Sequence, residues 1–487
     1  MIDALLLIAL LGPWGAAAAL AAVLRRAPRA AGWAVAAAGG VSLSAAAWLW
    51  LRALRGVTTV AGPGMLFRVD PLSALIAGCI TAVAGLAMLP WPGLTDDDPD
   101  PGRPRMFRIF GSLFALSMLL AVTVNNVALM WVAIEATTIM SAVLIPLHRS
   151  KASVEASWKY ILIGSVGIAL AFAGTVLAYF DFISLLGRRE DALNWTLLLD
   201  AAPGLHPDVL RLAFVFLLVG YGTKAGLAPM HTWLPDAHSE APAPLSAMMS
   251  GVLLAVAQYA IFRWKAVVDA AGGPAFTNQL LTALGLLSLA VGALSLVRQQ
   301  SYKRLLAYSS VEHSGLICLG FTFGPAGVFA SMLHIVNHAL AKSASFLLAG
   351  RVLARYRSPE VDRVSGLVRT MPATGSLFAA GLLALMGLPP FGLFVSEFLL
   401  FKAGFAGGHV AVTSAALLLV AIGFAGLAGH LARMLPGAAP EGIAAGEGPW
   451  IVFAPFVVSM AALVTLGLLL PDGIARLIGL IVEGFPA

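Results

Sequence analysis

Apolar positions run unbroken for roughly a bilayer's thickness again and again along this chain. Uncharged stretches occupy Ala4 to Leu24, Ala30 to Leu51, Leu72 to Trp91, Ile161 to Phe180, Pro242 to Phe262, Leu280 to Val297, Val410 to Gly429 and Trp450 to Leu470. A hydrocarbon core about 30 Å thick is crossed by about 20 apolar residues in a helix, so each stretch predicts a transmembrane helix. Longer apolar stretches are cut where turn-forming residues permit: at Asn125-Asn126, at Gly324-Pro325 and before Pro372. The pattern then predicts an all-α, polytopic membrane protein with about fourteen transmembrane helices. No positively charged segment of the signal-peptide kind precedes the first stretch, so that helix is expected to be retained.

Composition excludes the soluble alternative. Of 487 residues, 60% are hydrophobic and only 11% are charged, with a mean hydropathy of +0.90. Soluble domains carry about 25% charge, and this chain cannot cover a globular surface with water-compatible groups. The net charge of +6 would suggest nucleic acid in a soluble protein; here it reads as cationic loops on one membrane face, and no nucleic-acid partner is expected. Eighteen of the thirty Lys and Arg fall in loops after odd-numbered helices and ten on the other side, with Lys224 and Lys342 inside spans. The positive-inside rule then puts the odd loops in the cytoplasm and both termini outside, in a bacterial or archaeal cytoplasmic membrane. Asp96-Asp-Asp-Pro-Asp100 reads as a solvated linker. Cys79 and Cys318 stand alone in apolar runs, so neither a disulfide framework nor an iron–sulfur or cysteine-metal site is expected. No cofactor is expected on this chain, and any redox chemistry belongs to a partner.

Ionisable groups inside apolar helices cost at least ~2.5 kcal/mol each and mark function by default. They are Glu135, Lys224, Glu312, His313, His334, His338, Lys342 and Glu397. Glu135 and Lys224 fall in the fifth and seventh predicted helices, Glu312 and Glu397 in the tenth and twelfth. Five helices separate equivalent positions, so the two units have opposite topology, the plan of inverted-repeat transporters with sites near the midplane. Helix breakers agree: Gly226 and Pro229 follow Lys224, while Gly387, Pro389, Pro390 and Gly392 precede Glu397. Two broken helices are expected, although prolines are also simply common in membrane helices.

Glu135 and Lys224 have opposite signs and can pair across their unit, leaving a lysine poised to lose its proton when its partner moves away. The plainer reading is a structural salt bridge between helices. His334, His338 and Lys342 recur every four residues on one helix face. With Ile335-Val336-Asn337 as spacer the histidines lack the acid of a metalloprotease, and no metal is expected. A hydrated proton relay and a hydrogen-bonded core stripe both fit, with Glu312-His313 extending the line and Glu397 ending it. His231-Thr-Trp-Leu-Pro-Asp236-Ala-His238 follows the first break and reads either as a re-entrant turn or as a place where protons are taken up. Phosphate loops, nucleophile elbows and paired carboxylates at a cleft are not found, so no catalytic residues are assigned.

Four segments carry a resemblance. They are Trp131-Val-Ala-Ile-Glu135-Ala-Thr-Thr, Lys224-Ala-Gly-Leu-Ala-Pro-Met-His-Thr-Trp-Leu-Pro-Asp-Ala-His238-Ser-Glu-Ala-Pro, Lys303-Arg-Leu-Leu-Ala-Tyr-Ser-Ser-Val-Glu-His313, and Gly387-Leu-Pro-Pro-Phe-Gly with Glu397. From about residue 68 to 433 the chain resembles the antiporter-like proton-translocating subunits of respiratory complex I, of cation/proton antiporters and of energy-converting hydrogenases. Its Glu-Ala-Thr-Thr and Ser-Val-Glu-His contexts are most similar to the hydrogenase-4 component F branch. The resemblance implies a fourteen-helix subunit with a three-helix segment at 1–91, inverted five-helix repeats at 107–265 (helices 4 to 8) and 279–433 (helices 9 to 13), and a C-terminal helix and tail at 450–487. It implies Glu135 and Lys224 as a coupled pair, His313, His334, His338 and Lys342 as axial relays, and Glu397 as the outer carboxylate. Many relatives place a lysine in the eighth helix, where this chain has Gly251-Val-Leu-Leu-Ala255. Water, Gln258, Tyr259, Ser246 or Ser250 must bridge there, or the path is interrupted.

Three functions follow from the resemblance. One is a proton-pumping, itself non-redox subunit of an oxidoreductase complex, partnered by related membrane subunits, a peripheral redox arm and lipid. Another is a subunit of a cation/proton antiporter, or of an inorganic-carbon uptake complex without a redox partner. The third is a non-conducting scaffold, favoured by Ala255.

Overall fold

The structure, a computed structural model, describes residues 2–24, 27–88, 100, 102–189, 191–447 and 453–484. Arg25 and Arg26, residues 96–99 of the acidic linker, and the expected segment boundaries at 91 and 450 lie outside the described residues.

The chain is almost wholly helical. In order it forms α1 (Ile2–Val23), α2 (Pro28–Leu54), β1 (Thr59–Ala61), β2 (Phe67–Val69), α3 (Pro71–Met88), α4 (Gly102–Thr123), α5 (Val127–Leu144), α6 (Lys151–Leu186), α7 (Trp195–Ala201), α8 (Pro207–Lys224), α9 (Trp233–Glu240) and α10 (Ala243–Met248). A π-helical turn, Met249–Leu253, joins α10 to α11 (Leu254–Gly272). Then follow α12 (Ala275–Val297), α13 (Tyr302–Gly320), α14 (Gly324–Tyr356), α15 (Leu367–Thr370), α16 (Pro372–Leu385), α17 (Gly392–Ala406), α18 (Val410–Met434), α19 (Ala454–Leu468) and α20 (Asp472–Glu483). The strands pair antiparallel in a short hairpin, Thr59 opposite Val69.

Local chemistry explains where the helices stop. Asn126 accepts from the Ala128 and Leu129 amides at 3.0 Å, capping α5 where the two asparagines predict a cut. Ser150 and Ser153 form a reciprocal cap at the start of α6. Gly324 turns the chain from α13 into α14, and Pro372 opens α16.

Among the described residues, nine helical segments are long and apolar enough to cross a membrane, and ten if the pair Pro455–Leu468 and Asp472–Glu483, bent by 70°, is one span. The protein is a multi-pass membrane protein. Helices α8, α13, α14 and the pair α16/α17 do not pass on length and apolarity. Among them they hold the buried Lys224, Glu312, His313, His334, His338, Lys342 and Glu397. Helix α14 packs against α3, α10, α13, α16, α17, α19 and α20, and the stretch Ala243–Gly272 is buried throughout its most apolar window. Trp158, Leu162 and Val166 face outward along one side of α6, an arrangement suited to hydrocarbon and costly in water. Helices α6 and α8 meet on small residues: a Cβ on Gly174 would lie 2.6 Å from the Ala213 carbonyl oxygen, and one on Gly167 would lie 2.7 Å from Thr223 Cβ. Close approach on glycine is how membrane helices gain packing when no hydrophobic force drives them together.

Candidate functional site

Lys224 is the last residue of α8, and its side chain is fully buried. The helix ends there because Gly226 adopts φ +71°, with Leu227 N donating to Gly222 O at 2.9 Å and Gly226 N to Thr223 O at 3.3 Å. This is a glycine-terminated helix end of the Schellman kind. The freed Thr223 carbonyl also accepts from the Trp233 indole at 2.8 Å. The second interruption has the same form. α16 ends at Leu385, Gly387 has φ +65°, Leu388 N donates to Leu383 O at 3.2 Å and Gly387 N to Ala384 O at 3.0 Å. Lys224 precedes its break, however, whereas Glu397 follows its own, in α17. Matching charge spacing in the sequence therefore does not mean matching sides of the interruption.

The Lys224 ammonium donates to the Tyr160 hydroxyl at 2.9 Å and lies 4.7 Å from that ring's centre. Glu135, half-buried on α5, accepts instead from Ser165 at 3.2 Å and Thr138 at 3.1 Å. Among the described residues no ion pair joins Glu135 to Lys224, so the expected pair is coupled at a distance. Ser141 gives its proton to Thr137 O at 2.6 Å, which leaves Tyr160 to donate to Ser141 at 2.8 Å while accepting from Lys224.

A second group gathers α13, α14 and α17. His313 Nδ1 and His334 Nε2 are 3.0 Å apart, His334 Nδ1 lies 2.9 Å from Ser396 Oγ, and His313 Nδ1 is 3.9 Å from Glu397 Oε1. The His338 ring centre stands 5.2 Å from that of His313. Glu312, His313 and Glu397 line one small cavity of about 10 Å³, the room needed by about one water. Lys342 donates to the Leu306 carbonyl at 2.7 Å. All of these side chains are buried. Five polar atoms around the same axis have no protein partner: His313 Nε2, His338 Nε2, Ser345 Oγ and both amide atoms of Asn337.

Between the groups, Ser250 pairs with Ser310 at 2.7 Å, and Ser246 donates to His238 O at 3.1 Å. Tyr259 is committed elsewhere, to Ser73 at 3.1 Å and Val122 O at 3.2 Å. Gln258 Nε2, buried, has no protein partner. Ala255 faces this buried, mostly apolar stretch.

The residues after the first break separate. Asp236 lies at a cleft of about 520 Å³ with Glu155, Lys159, Glu240, Arg298 and Arg304; it is paired with Arg304 and, at 3.2 Å, with Lys159. His238 is fully buried, stacked on Phe346 with ring centres 4.9 Å apart and with neither ring nitrogen bonded to protein. Lys303 and Lys342 both act on it electrostatically. Half-buried His231 sits 6.3 Å, ring to ring, from Tyr308. Lys303 donates to the Ser239 and Ala241 carbonyls at 2.6 and 2.8 Å, a cation placed at the C-terminal end of α9.

A third polar network lies at the start of α3. Arg263 donates to Asp70 at 2.6 Å and to Ser73 at 3.1 Å, Arg68 also pairs with Asp70, and the Arg263 guanidinium stacks 4.3 Å from the Trp195 ring. Burial alone would raise the Asp70 carboxyl, but Arg263 and Arg68 beside it hold it well below the usual carboxylate range.

Among the described residues one set of donors is close enough to hold a metal ion: His313, His334 and Glu397, with ligand atoms within 4.8 Å of one another. It differs from the His334 and His338 stripe that spacing suggests, because it draws on three helices. Tyr160, Ser165 and Ser396 are absent from the sequence reading. Ser396 was signalled only by standing next to Glu397, and Tyr160 by nothing short of the packing of α6.

Residues 124–423 match the family described as NADH:quinone oxidoreductase/Mrp antiporter, TM. The chain is 42% identical over 325 residues to a hydrogenase-4 component F homolog of Methylacidiphilum infernorum, covering 66% of this chain and 68% of that one. Its fold is similar to a chain of an archaeal respiratory membrane complex, the membrane-bound sulfane sulfur reductase, with TM-score 0.87, 23% identity, and 99% and 97% of the two chains covered. It is equally similar to a chain of the Mrp complex from a Dietzia species, with TM-score 0.85, 21% identity, and 100% and 98% covered. By the extent of the family match and the identity to its relative, this protein belongs to the NADH:quinone oxidoreductase/Mrp antiporter family of membrane subunits.

Proposed function

We propose that this chain is a proton-translocating, antiporter-like subunit of a redox-driven membrane complex of the hydrogenase or NADH-dehydrogenase type. The observation that carries this reading is the pair of helix interruptions with one backbone form, each near a buried ionisable group. Lys224, modulated by Glu135, is the exchangeable charge of one unit. Glu312, His313, His334, His338, Lys342 and Glu397 form the relay of the other. His231, Asp236, His238 and Gln258 serve proton uptake or hold bridging water, and no catalytic residue or cofactor is assigned to this chain.

On this reading there are fourteen spans, because α8, α13, α14 and the interrupted pair α16/α17 cross the membrane beside the ten apolar ones. The units are the inverted repeats 107–265 and 279–433, flanked by 1–91 and 450–487. Both termini face outward from a bacterial or archaeal cytoplasmic membrane. Partners are related membrane subunits, lipid and a peripheral redox arm, a choice favoured by the hydrogenase-4 relative. The second reading, a cation/proton antiporter subunit without redox partner, is favoured by the likeness to the Mrp chain. Purification in mild detergent separates them: copurifying iron–sulfur subunits support the first, and a set of antiporter-type membrane subunits alone overturns it.

A further inference from the structure

Eight residues separate Lys224, at the end of α8, from Trp233, at the start of α9, and they are held from two directions. From α8, Leu227 N donates to Gly222 O at 2.9 Å, while the Trp233 indole donates to Thr223 O at 2.8 Å. The Trp233 ring also lies 4.8 Å, centre to centre, from that of Tyr160, on which the lysine rests. The other direction is that of α12 and α13, which belong to the second proposed unit. The Ala228 amide, fully buried, donates to Ser288 Oγ on α12 at 2.9 Å. An amide can only donate, so the sense of this bond is fixed. The chain here lies between helices, and among the described residues Ser288 is the one acceptor of that amide. Arg304 and Lys303, in the first turn of α13, hold α9 at its first turn and its last: Arg304 pairs with Asp236, and Lys303 donates to the Ser239 and Ala241 carbonyls. Helices α12 and α13 in turn pack on glycine. A Cβ on Gly292 would lie 2.8 Å from Glu312 N, and one on Gly315 would lie 2.6 Å from Gly285 O. Backbone against backbone leaves no side chain to flex between the two helices, so they move together, and α13 carries Glu312 and His313.

We propose that Ser288 is a positioning residue that ties the interruption beside Lys224 to α12 and α13, so that a displacement of those two helices changes what surrounds the lysine. The proposal rests on the relay reading above and deepens it. Coupling between distant sites needs an element that both sites bias. The segment between α8 and α9 meets that need: one end continues from α8, the other runs into α9 under the hold of α13, and Ser288 takes its middle. Without the hydroxyl the Ala228 amide is buried with no acceptor, the segment opens more often, and the lysine no longer follows the second unit.

The test pairs Ser288→Ala with Ser288→Cys in the intact complex, reconstituted in lipid. Alanine removes the acceptor and leaves a space; cysteine fills the space and is only a weak acceptor. Hydrogen–deuterium exchange read by mass spectrometry follows the amides of 225–232, and a pH-sensitive dye follows proton translocation under a potassium diffusion potential. In both variants the expected result is exchange about fivefold faster in 225–232 and translocation slowed about fivefold, the change one lost hydrogen bond produces, with the protection of α8 and α12 unchanged. Unchanged exchange in 225–232 overturns the proposal, and so does faster exchange beside normal translocation. Parent-like behaviour of Ser288→Cys assigns the effect to packing and overturns it too, as does protection lost along α8 or α12, which marks a merely structural residue. Lys224→Met in the same preparation keeps the two readings apart. Full translocation by that variant sinks the relay itself, whereas an inactive Lys224→Met beside normal translocation in the Ser288 variants removes only the role of the serine.

Discussion

The two units solve the problem of a buried charge in different ways. Around Lys224 the groups that meet the charge have fixed protein partners: the ammonium rests on Tyr160, Tyr160 on Ser141, and Glu135 on Ser165 and Thr138. Around His313 the imidazoles touch one another, yet five polar atoms nearby have no protein partner. A buried polar group left unpaired costs about 1–3 kcal/mol, so natural interiors supply it with water or a transient partner. The first unit is thus built to hold a charge in one place until its carboxylate changes. On the proposed relay reading, the second lets protons pass and is wetted as they do. The contrast suggests why one unit relies on hydroxyls and the other on imidazoles: a hydroxyl fixes a position, and an imidazole accepts on one side while giving on the other.

The largest effect that sharpens this contrast is expected from Lys224→Met, which keeps the aliphatic stem and removes the charge. Proton translocation in proteoliposomes should be abolished while the complex still assembles, and a pumping variant would break the comparison outright. Tyr160→Phe comes next. It leaves the ring beneath the ammonium and removes only the hydroxyl, and a charge-assisted bond of this kind predicts a slowing of about tenfold. If Tyr160→Phe transports normally, the first unit does not hold its lysine in the way described.

Gln258→Leu should slow translocation less, because its amide is one of several groups that can order water between the units. It tests whether the stretch around Ala255 is wetted at all, and a high-resolution map showing that stretch dry, with unimpaired transport, would separate the two units into independent half-paths. Asp70→Asn should leave turnover per assembled complex unchanged, since Asp70 itself precedes the first unit and its network contains neither Lys224 nor the imidazoles. Its cost falls on stability, about 3 kcal/mol for a broken buried pair, read as a lower unfolding temperature in detergent. The sign with pH follows from the lowered carboxyl of Asp70. The stabilisation is complete above the unfolded value of about 4 and is lost as pH falls through the lower folded value, so parent and variant should converge in strong acid. The smallest expected effect is on bound metal: purified complex should carry no stoichiometric zinc on this chain, and zinc lost on replacing His334 or Glu397 would turn the second unit from a wire into a coordination site.

Much of the fold was legible because its signals are local. Asn126 caps the helix it was expected to open, Gly324 turns where a cut was needed, and Gly226 and Gly387 end the two interrupted helices within a residue or two of where the breakers stand. Glycine and proline act on their own backbone, so a single sequence carries them. Apolarity by itself hid the rest, because helices rich in function are the least apolar. At the site, burial of the singled-out charges was readable, but their partners were not. Glu135 and Lys224 attract one another in sign, yet the rotation of α6 inserts Tyr160 beneath the lysine, and nothing near either residue encodes that. Asp236 and His238, two residues apart on α9, diverge for a similar reason: one turns toward Arg304 and Lys159 at a cleft, the other toward Phe346.

The glycine seam between α6 and α8 has a mechanical consequence. Where a single added carbon would strike the opposite backbone, as at Gly174 and Gly220, the two helices are already as near as they can come and lose contact with any separation. They behave as a clamped joint rather than a sliding one. A change in the surroundings of Lys224 during a working cycle is therefore expected not from the parting of α6 and α8 but from Glu135 on α5 or from the eight residues between α8 and α9, as a latch turns on a fixed post.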